Sequence, residues 1–211
     1  LERLPGGAQR AAQGQAYAAA WSAANAGIPQ GHRPLWVALG DSTAQGVGAS
    51  AYDRGYVGLV LAELRRRDAR WRVLNLSRSG ARIVEVVADQ LPRLEAVGAP
   101  DLVTCAVGAN DLVRARLRRV LADLANLVEA LPPGAVVATL PQGLGRRRTA
   151  RVNTAIRSWA GDNGLGVADV WARTGPPWAG KFAADAFHPN DTGYADWAAA
   201  VLEAAAGSVP P

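Results

Sequence analysis

Short apolar segments alternate with longer segments of helical periodicity along most of the chain. Each apolar segment is aliphatic or β-branched on both faces, as expected for a strand buried within a parallel sheet. Regular alternation of strand and helix predicts βαβ units in a doubly wound sheet with helices on both sides. The predicted strands are 35–39, 73–76, 102–107, 135–140 and 167–170, and the predicted helices lie near 54–68, 82–97, 112–131, 148–163 and 190–206.

The segment before the first strand has a different pattern. Residues 8–26 are rich in alanine and predict a helix, which a cluster of glycines and prolines then ends. The remainder shows neither an internal repeat nor a linker. We therefore expect a helical extension over 1–34 and one domain over 35–211.

Composition narrows the class of protein. A chain of 211 residues with 49% apolar and 19% charged residues is typical of a globular α/β domain. No run approaches the roughly 18 apolar residues of a membrane-spanning helix, so no transmembrane segment is predicted. Cys105 is the only cysteine, which excludes disulfide frameworks and cysteine metal clusters, and its apolar strand indicates a core position. The lack of disulfides favours a cytoplasmic location, and export stays open because the chain begins at Leu1 without any methionine.

The positive charge is dispersed along the chain. The net charge is +5, and all but one of the 23 basic residues are arginines. Their clusters at 65–67 and 116–119 lie in helical patterns near acidic residues, as on solvated helix faces. No nucleic-acid motif is present, so nucleic acid is not an expected partner. A basic surface does favour small anionic partners.

Four polar segments stand where predicted strands end or where the last helix begins. They are Gly40–Gly46, Asn75–Gly80, Gly108–Asp111 and Asp185–Pro189. In a parallel sheet the carboxyl ends of the strands share one edge, where ligands bind. We therefore expect these four segments to meet there.

These segments contain the groups that acyl transfer requires. Ser42 is a candidate nucleophile, but a serine hydroxyl needs an adjacent base. His188, one of only two histidines, is the candidate base, and Asp185 three residues earlier can orient its ring. The N–H groups of Ser42 and Gly80 and the side-chain amide of Asn110 are candidate donors to the oxyanion of a tetrahedral intermediate.

In their order and spacing the four segments resemble the four blocks of the SGNH (GDSL-type) hydrolase superfamily, in a bacterial single-domain form. The resemblance covers the chain from Leu35 to about Ala206. It implies a flavodoxin-like three-layer α/β/α fold with a five-stranded parallel sheet. The positions that match the family's serine, glycine, asparagine, aspartate and histidine are Ser42, Gly80, Asn110, Asp185 and His188.

Two features depart from the family's pattern. Thr43 stands where the GDSL motif has leucine, which concerns local packing only, and the minimal family domain does not require the N-terminal helix. Asp41 and Asp111 are interpreted as supporting residues that brace the loops around Ser42 and Asn110.

A near-match to a phosphate-binding loop occurs over Gly175–Phe182. Phe182 replaces the hydroxyl residue that would hold magnesium, and two prolines remove N–H donors, so no nucleotide site is predicted. Trp178 and Phe182 are candidate walls of an acyl pocket, or they simply cover the core. No metal or cofactor is implied.

Three consecutive arginines follow the fourth predicted strand. They are either a solvated surface or a site for an anionic or sugar-acid part of the substrate. The residues are Arg146, Arg147 and Arg148.

The leading functional prediction is a serine esterase that cleaves short- or medium-chain acyl esters through an acyl-enzyme on Ser42. The expected substrate is a small ester, carbohydrate-linked or anionic, and the absence of a large lid insertion argues against a true lipase. The same groups would serve an acyltransferase to a sugar or alcohol hydroxyl, or a carbohydrate deacetylase. From another class, a non-catalytic carbohydrate-binding relative would not need the full set of site residues. The oligomeric state stays open.

Overall fold

A parallel five-stranded sheet forms the centre of the computed structural model, which describes residues 7–207. The strand order is β2-β1-β3-β4-β5, and every neighbouring pair runs parallel. This confirms the predicted α/β class. The strands are β1 (Leu35–Gly40), β2 (Arg72–Asn75), β3 (Leu102–Ala106), β4 (Val136–Ala138) and β5 (Gly166–Ala168).

Helices precede, connect and follow the strands. A π-helical turn over Val86–Gln90 joins α3 to α4, and a 3-10 turn over Tyr52–Arg54 precedes α2. Within the part of the chain that the structure describes, no helix combines the length and apolar character needed to cross a membrane. The helices are α1 (Gly7–Ala26), α2 (Tyr56–Arg67), α3 (Ile83–Glu85), α4 (Leu91–Val97), α5 (Ala109–Arg114), α6 (Leu117–Ala130), α7 (Arg146–Asp162), α8 (Val170–Arg173) and α9 (Asp191–Ala205).

The sheet separates two apolar cores, because successive side chains of a strand point to opposite faces. In β1, Trp36 and Ala38 join a cluster that includes residues of α2 and α9. Val37 and Leu39 join a second cluster with residues of α4, α6 and α7. All four side chains are fully buried. The result is the three-layer arrangement that the family resemblance implied.

The predicted helix over 112–131 is wrong in one respect, because it is two helices. Arg116 has an extended backbone between α5 and α6. It lies four residues before Val120, on the face that α6 buries. An uninterrupted helix would carry the Arg116 guanidinium into the apolar core, which is costly for an unpaired charge. The break leaves Arg116 exposed and ends α5 at Arg114.

Helix α1 is attached to the loops that follow β1 and β2. Polar-tipped side chains recur at every fourth position and therefore lie along one face of the helix. They hydrogen-bond to main-chain atoms of those loops, so the helix has a defined position against the predicted domain. The bonds join Gln13 and Tyr17 to the carbonyl of Ala49 (3.0 and 2.8 Å), Trp21 to the carbonyl of Gln45 (3.1 Å), and Asn25 to the N–H and carbonyl of Asn75 (3.0 and 2.8 Å).

Candidate active site

Ser42, His188 and Asp185 form a continuous hydrogen-bonded chain at the carboxyl edge of the sheet. Ser42 lies in the turn after β1, and the other two residues share the loop before α9. The Ser42 Oγ to His188 Nε2 distance is 2.9 Å, and the His188 Nδ1 to Asp185 Oδ2 distance is 2.7 Å. This is the arrangement in which a histidine can accept a serine proton while a carboxylate orients its ring.

The carboxylate of Asp185 is held in its charged form. Burial alone would raise the pKa of Asp185, but hydrogen bonds from the His188 ring and from the N–H groups of Phe187 and His188 outweigh it. The pKa of Asp185 therefore lies well below its ordinary value. Both N–H groups donate to Oδ1 at 2.9 Å, which leaves Oδ2 directed to the imidazole. The short loop thus fixes the acid and the base relative to each other.

A glycine allows the serine loop and the histidine loop to touch. Gly48 has a φ of +100°, and a Cβ there would lie 2.3 Å from the carbonyl oxygen of Pro189 and 2.7 Å from the Cβ of His188. On α9, the hydroxyl of Tyr194 donates to the carbonyl of Val47 at 2.6 Å. Sequence reasoning missed Gly48 and Tyr194, because nothing local marks a contact between residues about 140 positions apart in the chain.

The candidate oxyanion donors lie beside Ser42. Among the residues from 7 to 207, the N–H groups of Ser42 and Gly80 donate to no other group. Asn110 Nδ2 donates to the carbonyl of Ala81 at 3.0 Å, and its other contact, to Asp41 Oδ2, is 3.5 Å long. A Cβ at Gly80 would meet no atom within 4 Å, so lack of space does not explain the glycine. Its φ of +80° does, because residues other than glycine rarely adopt that angle.

Asp41 and Asp111 are buried and bonded to main-chain N–H groups of the site loops. Asp41 Oδ1 accepts from the N–H and hydroxyl of Thr43 at 2.9 and 2.8 Å. Asp111 Oδ2 accepts from the N–H of Ile83 at 3.1 Å. Burial raises the pKa of Asp41 and raises the pKa of Asp111 to about 6. The Thr43 hydroxyl, where the GDSL motif has leucine, thus adds a bond to Asp41.

Buried side-chain amides tie the strand ends together, and sequence reasoning missed them. Gln45 accepts from the N–H and hydroxyl of Ser79 at 3.1 and 2.7 Å and donates to the carbonyl of Ser77 at 3.1 Å. Gln90 exchanges two 2.8 Å bonds with the N–H and carbonyl of Gly40. Gln45 therefore connects the Ser42 loop to the Gly80 loop, and Gln90 closes the end of β1.

Two cavities lie next to these groups. The first, here called the serine cavity, measures about 230 Å³. The second, here called the apolar cavity, measures about 110 Å³, and Trp178 and Phe182 are among its mostly apolar lining residues. Phe187 lines both. The serine cavity is lined by Arg10, Ala11, Ser42, Val47, Ser79, Gly80, Asn110, Arg114, Phe187 and His188.

Other residues singled out in the sequence lie away from both cavities. Arg146, Arg147 and Arg148 are exposed at the start of α7 and line neither cavity, and Arg148 donates to the carbonyl of Ala115 at 2.6 Å. Burial raises the pKa of Cys105 to about 12, which suits a core thiol. Within residues 7–207, no group of three or more His, Cys, Asp or Glu side chains is arranged to hold a metal ion.

Comparison with known proteins identifies the family. The sequence profile of the GDSL-like Lipase/Acylhydrolase family matches residues 38–195, which is most of the chain. The chain therefore belongs to this family of esterases, lipases and acylhydrolases, and the resemblance seen in its four motifs is confirmed. Helix α1 lies outside the matched segment. No curated protein sequence matches the chain significantly.

Solved structures share the fold at low sequence identity. The structure of TesA is 22% identical, with a TM-score of 0.71 over 83% of this chain and 99% of that one. A lipase/acylhydrolase from Enterococcus faecalis is 20% identical, with a TM-score of 0.70 over 84% and 97% of the two chains. An acetylxylan esterase from Geobacillus stearothermophilus, solved as a catalytic mutant, is 21% identical, with a TM-score of 0.66 over 83% and 94%.

Proposed function

We propose that the protein is a serine esterase that hydrolyses short- or medium-chain acyl esters through an acyl-enzyme on Ser42. The observation that carries the proposal is the hydrogen-bonded chain from Ser42 through His188 to Asp185, with distances of 2.9 and 2.7 Å. The candidate oxyanion donors of Ser42, Gly80 and Asn110 line the same cavity as the serine. The candidate nucleophile, its candidate base and the candidate oxyanion donors thus line one cavity.

The proposed reaction has two halves. In the first, the Ser42 oxygen attacks the ester carbonyl carbon while His188 accepts the hydroxyl proton, and the carbonyl oxygen becomes an oxyanion held by the three donors. The tetrahedral intermediate then expels the alcohol, which receives the proton from His188. In the second half, water attacks the acyl-enzyme with His188 as base, and Ser42 regains its proton as the acid leaves. Asp185 stabilises the imidazolium in both halves.

The apolar cavity is the proposed site for the acyl chain. Asp41 and Thr43, the neighbours of Ser42 in sequence, both line it, so it begins beside the nucleophile. Trp178 and Phe182 line it with ring centroids 5.7 Å apart. A volume of about 110 Å³ favours short or medium acyl chains. The rings would gain favourable burial against the chain's methylene groups.

Hydrolysis of p-nitrophenyl esters from acetate to palmitate tests the proposal. We expect the wild type to prefer short or medium chains and Ser42→Ala to lose about 10⁴-fold or more in kcat. Ser158→Ala, which changes an exposed serine on α7, is the matched control and should keep full activity. Undiminished turnover by Ser42→Ala would refute the serine mechanism.

The same assay separates the esterase from an acyltransferase. A stoichiometric burst of p-nitrophenol that stalls until a sugar or alcohol is added would show that the acyl-enzyme forms but excludes water. That outcome would replace the hydrolase assignment with a transferase and keep the same catalytic groups. Steady turnover without an added acceptor is the result expected for the esterase.

A further inference from the structure

The serine cavity carries positive charge without any carboxylate among its lining side chains. Arg10 and Arg114 line it together with Ser42 and His188. Among the other lining residues within the described part of the chain there is no Asp, Glu, Lys or Arg. Asp185 does not line the cavity, and its carboxylate contacts the His188 imidazole, main-chain N–H groups and, at 3.5 Å, the Arg10 guanidinium. An anion entering this cavity would therefore meet two guanidinium groups.

Arg10 reaches the cavity because α1 is attached to the site loops. Gln13, three residues further along α1, accepts from the N–H of Gly48 at 2.8 Å and donates to the carbonyl of Ala49. The Arg10 Nε lies 3.5 Å from Asp185 Oδ2, and the Arg10 side chain is only 11% exposed. The arginine is thus held at the cavity by a helix outside the segment that the family profile matches.

Arg114 lies at the C-terminal end of the short helix α5, and Asn110 lies near its N-terminal end. The two residues lie four positions apart on α5 and therefore share a helix face. Arg114 is exposed, and among residues 7–207 its side chain has no hydrogen-bonding or ion-pair partner. By contrast, Arg66 and Arg119 on other helices pair with carboxylates at 2.8 and 2.9 Å. The charge of Arg114 is directed to the site without being neutralised by the protein.

We propose that the serine cavity binds the alcohol portion of the ester, and that Arg10 and Arg114 recognise an anionic oxygen group, a carboxylate or phosphate, on that alcohol. Guanidinium groups bind both oxyanions with charge-assisted hydrogen bonds. The acyl chain and the anion then occupy different cavities, and the ester carbonyl lies at Ser42 between them. This inference rests on the proposed esterase function because it assigns the two sides of the same ester.

A pair of matched esters tests the assignment. Both are butyryl esters of a nitrophenol, one with a carboxylate para to the hydroxyl and the other with a neutral carboxamide there. We expect the wild type to have the higher kcat/KM for the carboxylate, and Arg114→Gln to reduce the carboxylate-to-carboxamide ratio about tenfold. Arg118→Gln, an exposed arginine on α6 that lines neither cavity, is the matched control and should keep the ratio. An unchanged ratio in Arg114→Gln would overturn the proposal.

Direct binding keeps the test independent of catalysis. Calorimetry on Ser42→Ala compares three phenols without the nitro group, which stay un-ionised at the hydroxyl near neutral pH and bear a para carboxylate, phosphonate or carboxamide. Tighter binding of the carboxylate or the phosphonate than of the carboxamide supports the anion site, even if no ester is hydrolysed. This preference should weaken with added salt and disappear in the double variant that also carries Arg114→Gln. Equal binding of all three overturns it even if the esterase assignment stands. The tighter anion identifies the group that the cavity selects.

Arg10→Gln gives a second, distinguishable result. Arg10 contacts Asp185 as well as the cavity, so its loss should lower kcat for both esters in addition to the carboxylate-to-carboxamide ratio. A fall in kcat with the ratio intact would show that Arg10 only positions Asp185 and would remove it from the proposed anion site.

Discussion

The serine cavity and the apolar cavity lie at the same edge of the sheet but are built from different parts of the chain. The serine cavity is lined by candidate reacting groups from the segments after β1, β2 and β3 and from the loop before α9, and by arginines from α1 and α5. The apolar cavity is lined mainly by residues 138–144 and 174–197 beyond β4 and β5. The candidate catalytic groups therefore lie at one cavity, and the surface proposed for the acyl chain lies at the other. Variants in one cavity should leave the selectivity of the other unchanged.

Among variants that keep Ser42 and can therefore test this division, Asn110→Ala in the serine cavity should have the largest effect. Removing one oxyanion donor typically lowers kcat about 10²- to 10³-fold. Because the apolar cavity is untouched, the preferred chain length in the p-nitrophenyl ester series should stay the same. Asn163→Ala, an exposed asparagine at the end of α7, is the control and should behave as wild type.

A shift in the preferred chain length of Asn110→Ala would contradict the division into two cavities. A loss of less than a few fold in kcat would instead remove Asn110 from the set of donors. In that case the Ser42 and Gly80 N–H groups would have to stabilise the oxyanion without it.

A smaller and more selective effect is expected for Phe182→Ala in the apolar cavity. Phe182 packs against Trp178, so truncating the ring enlarges the proposed acyl site. The ratio of kcat/KM for octanoate over butyrate should rise at least tenfold, since a single added methylene in an apolar pocket changes discrimination by roughly 1–3 kcal/mol. The carboxylate-to-carboxamide ratio should not move. Val113→Ala, an exposed apolar residue on α5, is the control.

If Phe182→Ala weakened all chain lengths equally, the ring would only cover the core, which is the other interpretation that the sequence left open. Circular dichroism melting would then show a lower Tm, whereas an acyl-pocket residue should change selectivity with little loss of stability.

The strands and the four polar segments were predictable because their signal is local. A parallel strand buried on both faces is apolar throughout, as β1 and β3 are. The candidate residues Ser42, Gly80 and Asn110 follow strands closely in the chain, and His188 comes just before the last helix. The sequence therefore predicted that Ser42, Gly80, Asn110 and His188 would meet, and the structure brings them to one cavity. Their catalytic roles stay predictions until the variants are assayed.

The parts that were missed depend on contacts between distant residues. The polar-tipped stripe of α1 looks like a solvated face in the sequence, yet it carries the bonds that bring Arg10 to Asp185. Gln45 has no local mark that distinguishes it from a surface glutamine, although it joins two site loops. The break at Arg116 was visible in principle, because an arginine stands at a core position of the helical pattern.

The smallest expected effect concerns stability. It distinguishes Asp185, a carboxylate in the hydrogen-bonded chain with Ser42 and His188, from Asp111, a buried carboxylate that accepts from the Ile83 N–H. The pKa of Asp111 is raised to about 6, so its folded form binds a proton more tightly than its unfolded form. Its contribution is complete below the ordinary pKa of an aspartate and is lost as the pH rises through about 6. The pKa of Asp185 is lowered, so its contribution has the opposite sign and is lost only as the pH falls through the acid range.

Asp111→Asn tests this difference, because the amide can still accept from the Ile83 N–H but does not titrate. Between pH 4 and pH 6, the free energy of unfolding of the wild type should fall relative to the variant by about 1–2 kcal/mol, as measured by urea titration at each pH. Asp162→Asn, at the C-terminal end of α7, is the control and should track the wild type. Parallel pH profiles for wild type and Asp111→Asn would show that burial does not perturb this carboxyl, and its bond to Ile83 would then be the whole of its role in shaping the serine cavity.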